Sequence, residues 1–160
     1  MAAAPAFVLR PAKPGDEAFL FRLYAETRAE ELAGCGWSAA QREIFLRQQF
    51  AARRNGYAAA FPGAEHTVVV MGREPVGALI VNRAPEEIRV VDLALRPAQR
   101  GRGLGRQLVG KLIEEARATG RPLRLQVLKT NRAARLYARL GFAPVGENGL
   151  HLKMEWRAGA

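Results

Sequence analysis

In 160 residues the chain has one cysteine, two histidines and one serine. Cys35 has no second cysteine to pair with, and without a Cys/His cluster no zinc site is expected. Ser38 opens a capping box, Ser38-Ala-Ala-Gln41, so a serine hydrolase has no nucleophile to spare. Long hydrophobic runs are missing as well: the stretch 76–81 falls far short of the ~18–20 apolar residues of a membrane-crossing helix. Residues 1–10 show no basic segment followed by an apolar one, so no signal peptide is expected. These absences lead to an expectation of a soluble, cytoplasmic protein that binds no metal. What is present suits a packed core, since 49% of residues are apolar and the length is that of one domain. That domain is expected over residues 6–157, with loose ends at 1–5 and 158–160.

Acids are the scarce charge. Lysine and arginine total 25 against 15 acids, a net charge of +10, and 21 of the 25 are arginine. Such a balance suits a polyanionic partner, although an Ala- and Arg-rich composition also raises it without function. Position therefore decides more than the total. No basic patch interleaved with aromatics is concentrated anywhere, so neither nucleic acid nor a membrane surface is expected as a partner.

Periodicity gives the element order. A short apolar strand over 6–10 is stopped by Pro11 and Pro14. Asp16 reads as the N-cap of a helix that ends at Gly34 and Gly36, and Ser38 opens a second helix to about Arg54. Strands follow at 66–71, 75–82 and 88–95. A glycine-rich bend then leads into a helix over 103–118, a strand over 122–128 and a short helix capped by Asn131 and closed by Gly141. A final hairpin, 142–145 and 150–156, turns at Asn148-Gly149; Leu150, Leu152, Met154 and Trp156 alternate with polar residues. The order is β-α-α-β-β-β-α-β-α-β-β, an α/β single-domain mixed sheet.

The stretch from Leu93 to Arg106 carries the chemistry. It places Gly101, Gly103 and Gly105 between a strand and a helix, with four arginines and no acid from Arg96 to Arg106. Glycine lets a backbone approach a ligand closely, and amides at a helix start present partial positive charge. Arginine adds charge-assisted contacts to phosphate oxygens, so a pyrophosphate is the natural guest. A dinucleotide fingerprint fails because Arg106 stands three past Gly103. A P-loop fails because Leu112 follows Gly110-Lys111 inside a predicted helix.

Arg100-x-x-Gly103-x-Gly105 resembles the acyl-CoA pyrophosphate signature of the GNAT superfamily of N-acetyltransferases. Asn131 followed by Ala134, Leu136-Tyr137 and Leu140-Gly141-Phe142 is similar to its second signature, and the element order matches along nearly the whole chain. The resemblance implies an acetyl-CoA-dependent acyltransferase, with the coenzyme in a cleft between two splayed parallel strands, 88–95 and 123–128. Backbone groups of Leu93, Ala94 and Leu95 would pair with the pantetheine arm. Arg100 and the run Gly101, Arg102, Gly103, Leu104, Gly105 and Arg106 would hold the pyrophosphate, and Asn131 would reach the arm. Asn131 and Tyr137 are six residues apart where many members have seven, a departure that falls on Asn131. Tyr137 is the candidate general acid for the departing thiolate.

An alkyl amine with a pKa near ~10.4 must lose a proton before it attacks. Glu87, another carboxylate or a water chain would accept it. By alternation Glu87 shares a face with Arg89, Val91 and Leu93, whereas Asp92 lies opposite and reads as a structural carboxylate. Glu26, Glu30 and Glu31 could instead bind the acceptor's ammonium. The expected reaction is direct acetyl transfer from acetyl-CoA to a primary amine of a small molecule or peptide. A non-catalytic acyl-CoA-binding module, which needs the phosphate loop but no acid or base, is the alternative. Pairing into a homodimer through exposed strand edges is common for the fold, and the acceptor carries no readable motif.

Overall fold

A computed structural model of the chain describes residues 6–159, and its elements follow the expected order. Strand β1 (Val8–Pro11) precedes helices α1 (Glu17–Ala33) and α2 (Ala39–Ala60), then strands β2 (Glu65–Met71), β3 (Glu74–Arg83) and β4 (Ile88–Leu95). Helix α3 (Leu104–Thr119), strand β5 (Leu123–Leu128), helix α4 (Ala133–Arg139) and strands β6 (Ala143–Asn148) and β7 (His151–Trp156) complete the chain. The seven strands form one sheet in the order β1-β2-β3-β4-β5-β7-β6. It is mixed: β4 and β5 run parallel, while β1–β2, β5–β7 and β6–β7 are antiparallel. Of the expected loose ends, residues 1–5 and 160 lie outside the described residues, and 158–159 form a turn. No helix among the described residues is long and apolar enough to cross a membrane.

Two compact units make up the chain. Among the described residues, one contains Val81–Val91 and those from Gly101 onward; the other contains those up to Ile80 together with Asp92–Arg100. In the first unit α3 explains itself by spacing. Leu104, Leu108, Val109, Leu112, Ile113 and Ala116 form one apolar stripe, and all are buried. Ile88, Val90, Leu123, Leu125, Met154 and Trp156 are buried with them, at alternate positions of β4, β5 and β7. Each fully buried leucine there contributes roughly 1.5–3 kcal/mol. Gly120 ends α3 in the left-handed region at φ +67°.

In the second unit Phe21, Leu23 and Tyr24 of α1 are buried, and Phe50 of α2 meets the Phe21 and Tyr24 rings at 5.7 Å. Val68 and Val69 of β2, and Val76 and Leu79 of β3, are also buried. Gly77 permits a close strand approach, because a Cβ there would stand 2.7 Å from the Ala94 carbonyl oxygen.

Local chemistry departs from the expectation at two helix ends. Asp16 stands at the N-cap of α1 as expected, but its side chain makes no capping bond to the helix. Its carboxylate accepts from both Arg10 Nη atoms at 2.8 Å and from the Lys13 N–H at 2.8 Å, which builds a 3-10 turn over Pro14–Asp16 ahead of the helix. Helix α2 runs six residues past Arg54, and Arg53 Nε bonds the Tyr57 hydroxyl one turn on at 2.7 Å. Its start is as expected: Gln41 N–H donates to Ser38 Oγ at 3.2 Å, and Ser38 N–H to Gln41 Oε1 at 2.8 Å.

Candidate active site

The bend begins where β4 stops. After Leu95, Arg96 is extended and Pro97–Gln99 forms a 3-10 turn, with Arg100 N–H bonded to the Pro97 carbonyl at 3.2 Å. Gly101 and Gly103 then adopt φ of +73° and +86°, backbone that a side chain would strain. A Cβ on either glycine would meet nothing within 4 Å. Packing within the protein therefore does not demand glycine here; the backbone path does, and it leaves open space over the bend.

Gly103 serves as the N-cap of α3 and supplies no capping side chain, and the first turn holds no acid. The first helical bond runs from Gln107 N–H to the Gly103 carbonyl at 3.1 Å. The amides of Leu104, Gly105 and Arg106 therefore precede the helical ladder, at the end where the helix carries about half a positive charge. Leu104 is buried and anchors this start, while Arg102 and Arg106 are exposed beside it. Bend and helix start together form a cradle for a multiply charged anion.

The other expected residues fall as follows. Asn131 stands just before α4, and its Oδ1 accepts from the Ala133 N–H at 2.9 Å, leaving its Nδ2 as a donor. Tyr137 of α4 is buried at 7% exposure, its ring 5.6 Å from that of Phe142. Gly141 closes α4 at φ +101°, where a Cβ would press on the Trp156 indole at 3.3 Å. Asn131, Tyr137, Glu87 and residues 101–106 belong to the first unit; Leu93, Ala94, Leu95 and Arg100 belong to the second. Arg100 donates from Nε to the Leu95 carbonyl at 3.2 Å.

Glu87 is held by two arginines. Arg89 grips it with Nε at 2.7 Å and Nη2 at 3.1 Å, and Arg124 reaches it with Nη1 at 3.0 Å. Burial pushes the Glu87 carboxyl up, but the bonds from Arg89 and Arg124 outweigh it and hold the group below its ordinary range. A carboxylate so clamped is a weak proton acceptor. Arg124 also bonds Glu155 at 2.8 Å, so the charges form a ladder across β4, β5 and β7. Sequence reading missed this ladder. Glu87 and Arg89 are local neighbours, but Arg124 and Glu155 join them only through the register Arg89↔Arg124 and Arg124↔Glu155, which no local motif encodes.

In the second unit Asp92 accepts from Arg53 Nη2 at 2.5 Å, in keeping with a structural carboxylate. Burial pushes the Asp92 carboxyl up against the opposing pull of Arg53. Arg53 lies over the Tyr24 and Tyr57 rings at 5.4 and 5.3 Å. Among the alternative acids, Glu31 pairs with Arg28 at 2.6 Å and Glu26 with Arg96 at 3.6 Å. His66 and His151 are both exposed on strands. Among the described residues no three of His, Cys, Asp and Glu gather as a metal site.

Comparison with known proteins agrees with this geometry. The model of the acetyltransferase (GNAT) family matches residues 19–142, a segment that contains both the bend and Tyr137. Among curated proteins no match is found. Solved structures share the fold at low identity. The PaiA N-acetyltransferase of Thermoplasma acidophilum, solved in complex with coenzyme A, has a TM-score of 0.70 at 17% identity, over 95% of this chain and 99% of that one. An acetyltransferase from Thermus thermophilus gives 0.66 at 24%, over 95% and 96%. The ribosomal-protein-S18-alanine N-acetyltransferase of Escherichia coli gives 0.64 at 18%, over 97% and 96%. The family match covers well over half of the sequence, and the chain belongs to the GNAT family of acetyltransferases.

Proposed function

We propose that this acetyltransferase takes its acetyl group from acetyl-CoA and passes it directly to a primary amine. The observation that carries this reading is the cradle at residues 101–106: two positive-φ glycines with open space above them run into an uncapped, acid-free helix start flanked by Arg102 and Arg106. A pyrophosphate would accept from the amides there. The backbone of Leu93, Ala94 and Leu95 would pair with the pantetheine arm, and one of its N–H groups would polarise the thioester carbonyl. Asn131 would donate to the arm through Nδ2, because its Oδ1 is occupied by the Ala133 amide.

Direct transfer needs an acid for the leaving thiolate and an acceptor for the amine's proton. Tyr137 supplies the acid in this account, its burial on α4 keeping the hydroxyl in a drier environment than bulk water. Glu87 serves the site as the partner of Arg89 and Arg124, and the amine's proton leaves through water. Most of the rate then comes from holding amine and thioester together. The test is release of free thiol from acetyl-CoA over a panel of primary amines. Amine-dependent release is the expected result; coenzyme A binding without release from any amine would contradict it.

A further inference from the structure

Gln99 ends the 3-10 turn that precedes the bend, and its backbone N–H is occupied by the Arg96 carbonyl at 2.9 Å. The residue is half-buried, yet its side-chain Oε1 is buried and accepts no hydrogen bond. Leaving an amide oxygen without water and without a donor costs stability, so buried polar atoms are nearly always partnered. The guanidinium groups of Arg96 and Arg100, the nearest strong donors along the chain, do not bond it. Arg96 faces Glu26 at 3.6 Å and Glu74 at 3.8 Å, and Arg100 donates to the Leu95 carbonyl. The turn thus keeps a desolvated acceptor two residues ahead of the amides assigned to pyrophosphate.

We propose that Gln99 is a ligand-binding residue whose side-chain carbonyl accepts a hydrogen bond from the pantetheine half of the coenzyme. This rests on the acetyl-CoA reading given above. Chemistry selects the half. A pyrophosphate offers only acceptors at neutral pH, whereas pantetheine brings two amide N–H groups and a hydroxyl. Gln99 also sits in the sequence between residues 93–95, assigned to the arm, and residues 101–106, assigned to the phosphates. A binding donor would complete Oε1, so part of the specificity for a pantetheine-bearing nucleotide over a bare one resides in this side chain.

Gln99→Met keeps the length of the side chain and removes the acceptor. Two ligands are titrated by calorimetry into wild type and variant: coenzyme A, and adenosine 3′,5′-bisphosphate, which lacks pantetheine. The variant is expected to melt higher than wild type without ligand, to bind coenzyme A about tenfold more weakly, and to bind the bisphosphate equally well. Unchanged affinity for coenzyme A, or an equal loss for both ligands, would overturn the role of Gln99 while wild-type binding still upheld the acetyl-CoA reading. Wild type that failed to bind coenzyme A would overturn that reading itself. Should the variant not fold, the wild-type Gln99 side-chain amide signals decide: they shift on adding coenzyme A and not the bisphosphate, and a signal indifferent to both overturns the proposal.

Discussion

Glu87, one residue ahead of β4, and Asp92, within it, show how neighbours divide the work of carboxylates. Three bonds from Arg89 and Arg124 overcome burial at Glu87 and lower it; at Asp92 burial prevails over the single Arg53 bond. The contrast is not visible in sequence, because Arg124 and Arg53 arrive from other elements. Asp16 shows the same limit. It was legible as a helix-start residue, but Arg10, six residues earlier, competes for the carboxylate. The bond from Arg10, followed by that from Lys13 N–H, holds Asp16 at about 2 against an ordinary 3.8. A lowered carboxyl stabilises the fold fully above its ordinary value and loses that contribution as pH falls through the lowered one. Asp16→Asn should therefore melt a few degrees below wild type near neutral pH, and thermal melts should converge as pH falls toward 2. At Tyr137 the account predicts that Phe lowers turnover about 100-fold with little change in coenzyme affinity, measured by thiol release and calorimetry. Equal turnover across the pH range would remove Tyr137 from its role.

At the scale of elements, what was legible was what is local. The Ser38 capping box, the α3 stripe and the glycine closing α4 each depend on residues within a turn or two, and each stands where spacing put it. The bend was readable for the same reason: glycines between a strand and a helix permit the left-handed backbone that Gly101 and Gly103 adopt. The Arg89–Glu87–Arg124–Glu155 ladder and the orphan oxygen of Gln99 were not, since register and desolvation are properties of assembled neighbours. The bend also yields a prediction with separable parts. In Gly103→Val the Cβ meets no protein atom within 4 Å, so the variant is expected to fold, at a cost of about 1–2 kcal/mol for a β-branched residue at φ +86°. Its methyl groups occupy the space above the amides, and coenzyme affinity should fall at least ~100-fold by calorimetry. Undiminished affinity would show that the phosphates lie elsewhere.

Across the whole molecule, the arginine excess sorts by position. Arg10, Arg28, Arg47, Arg53, Arg54, Arg83, Arg89, Arg96, Arg121, Arg124 and Arg157 face carboxylates. Among the described residues, Arg102 and Arg106 at the bend, Arg132, Arg135 and Arg139 around α4, and also Arg22, Arg73 and Arg100 are exposed and enter no ion pair. Such unpaired cations attract a ligand carrying several phosphate charges. The most direct test follows the backbone amide signals of isotope-labelled wild-type protein while coenzyme A is titrated in. The account predicts saturable binding with the largest shifts at Gly101, Arg102, Gly103, Leu104, Gly105 and Arg106. Saturation that left those six amides unmoved, or no binding at all, would contradict it.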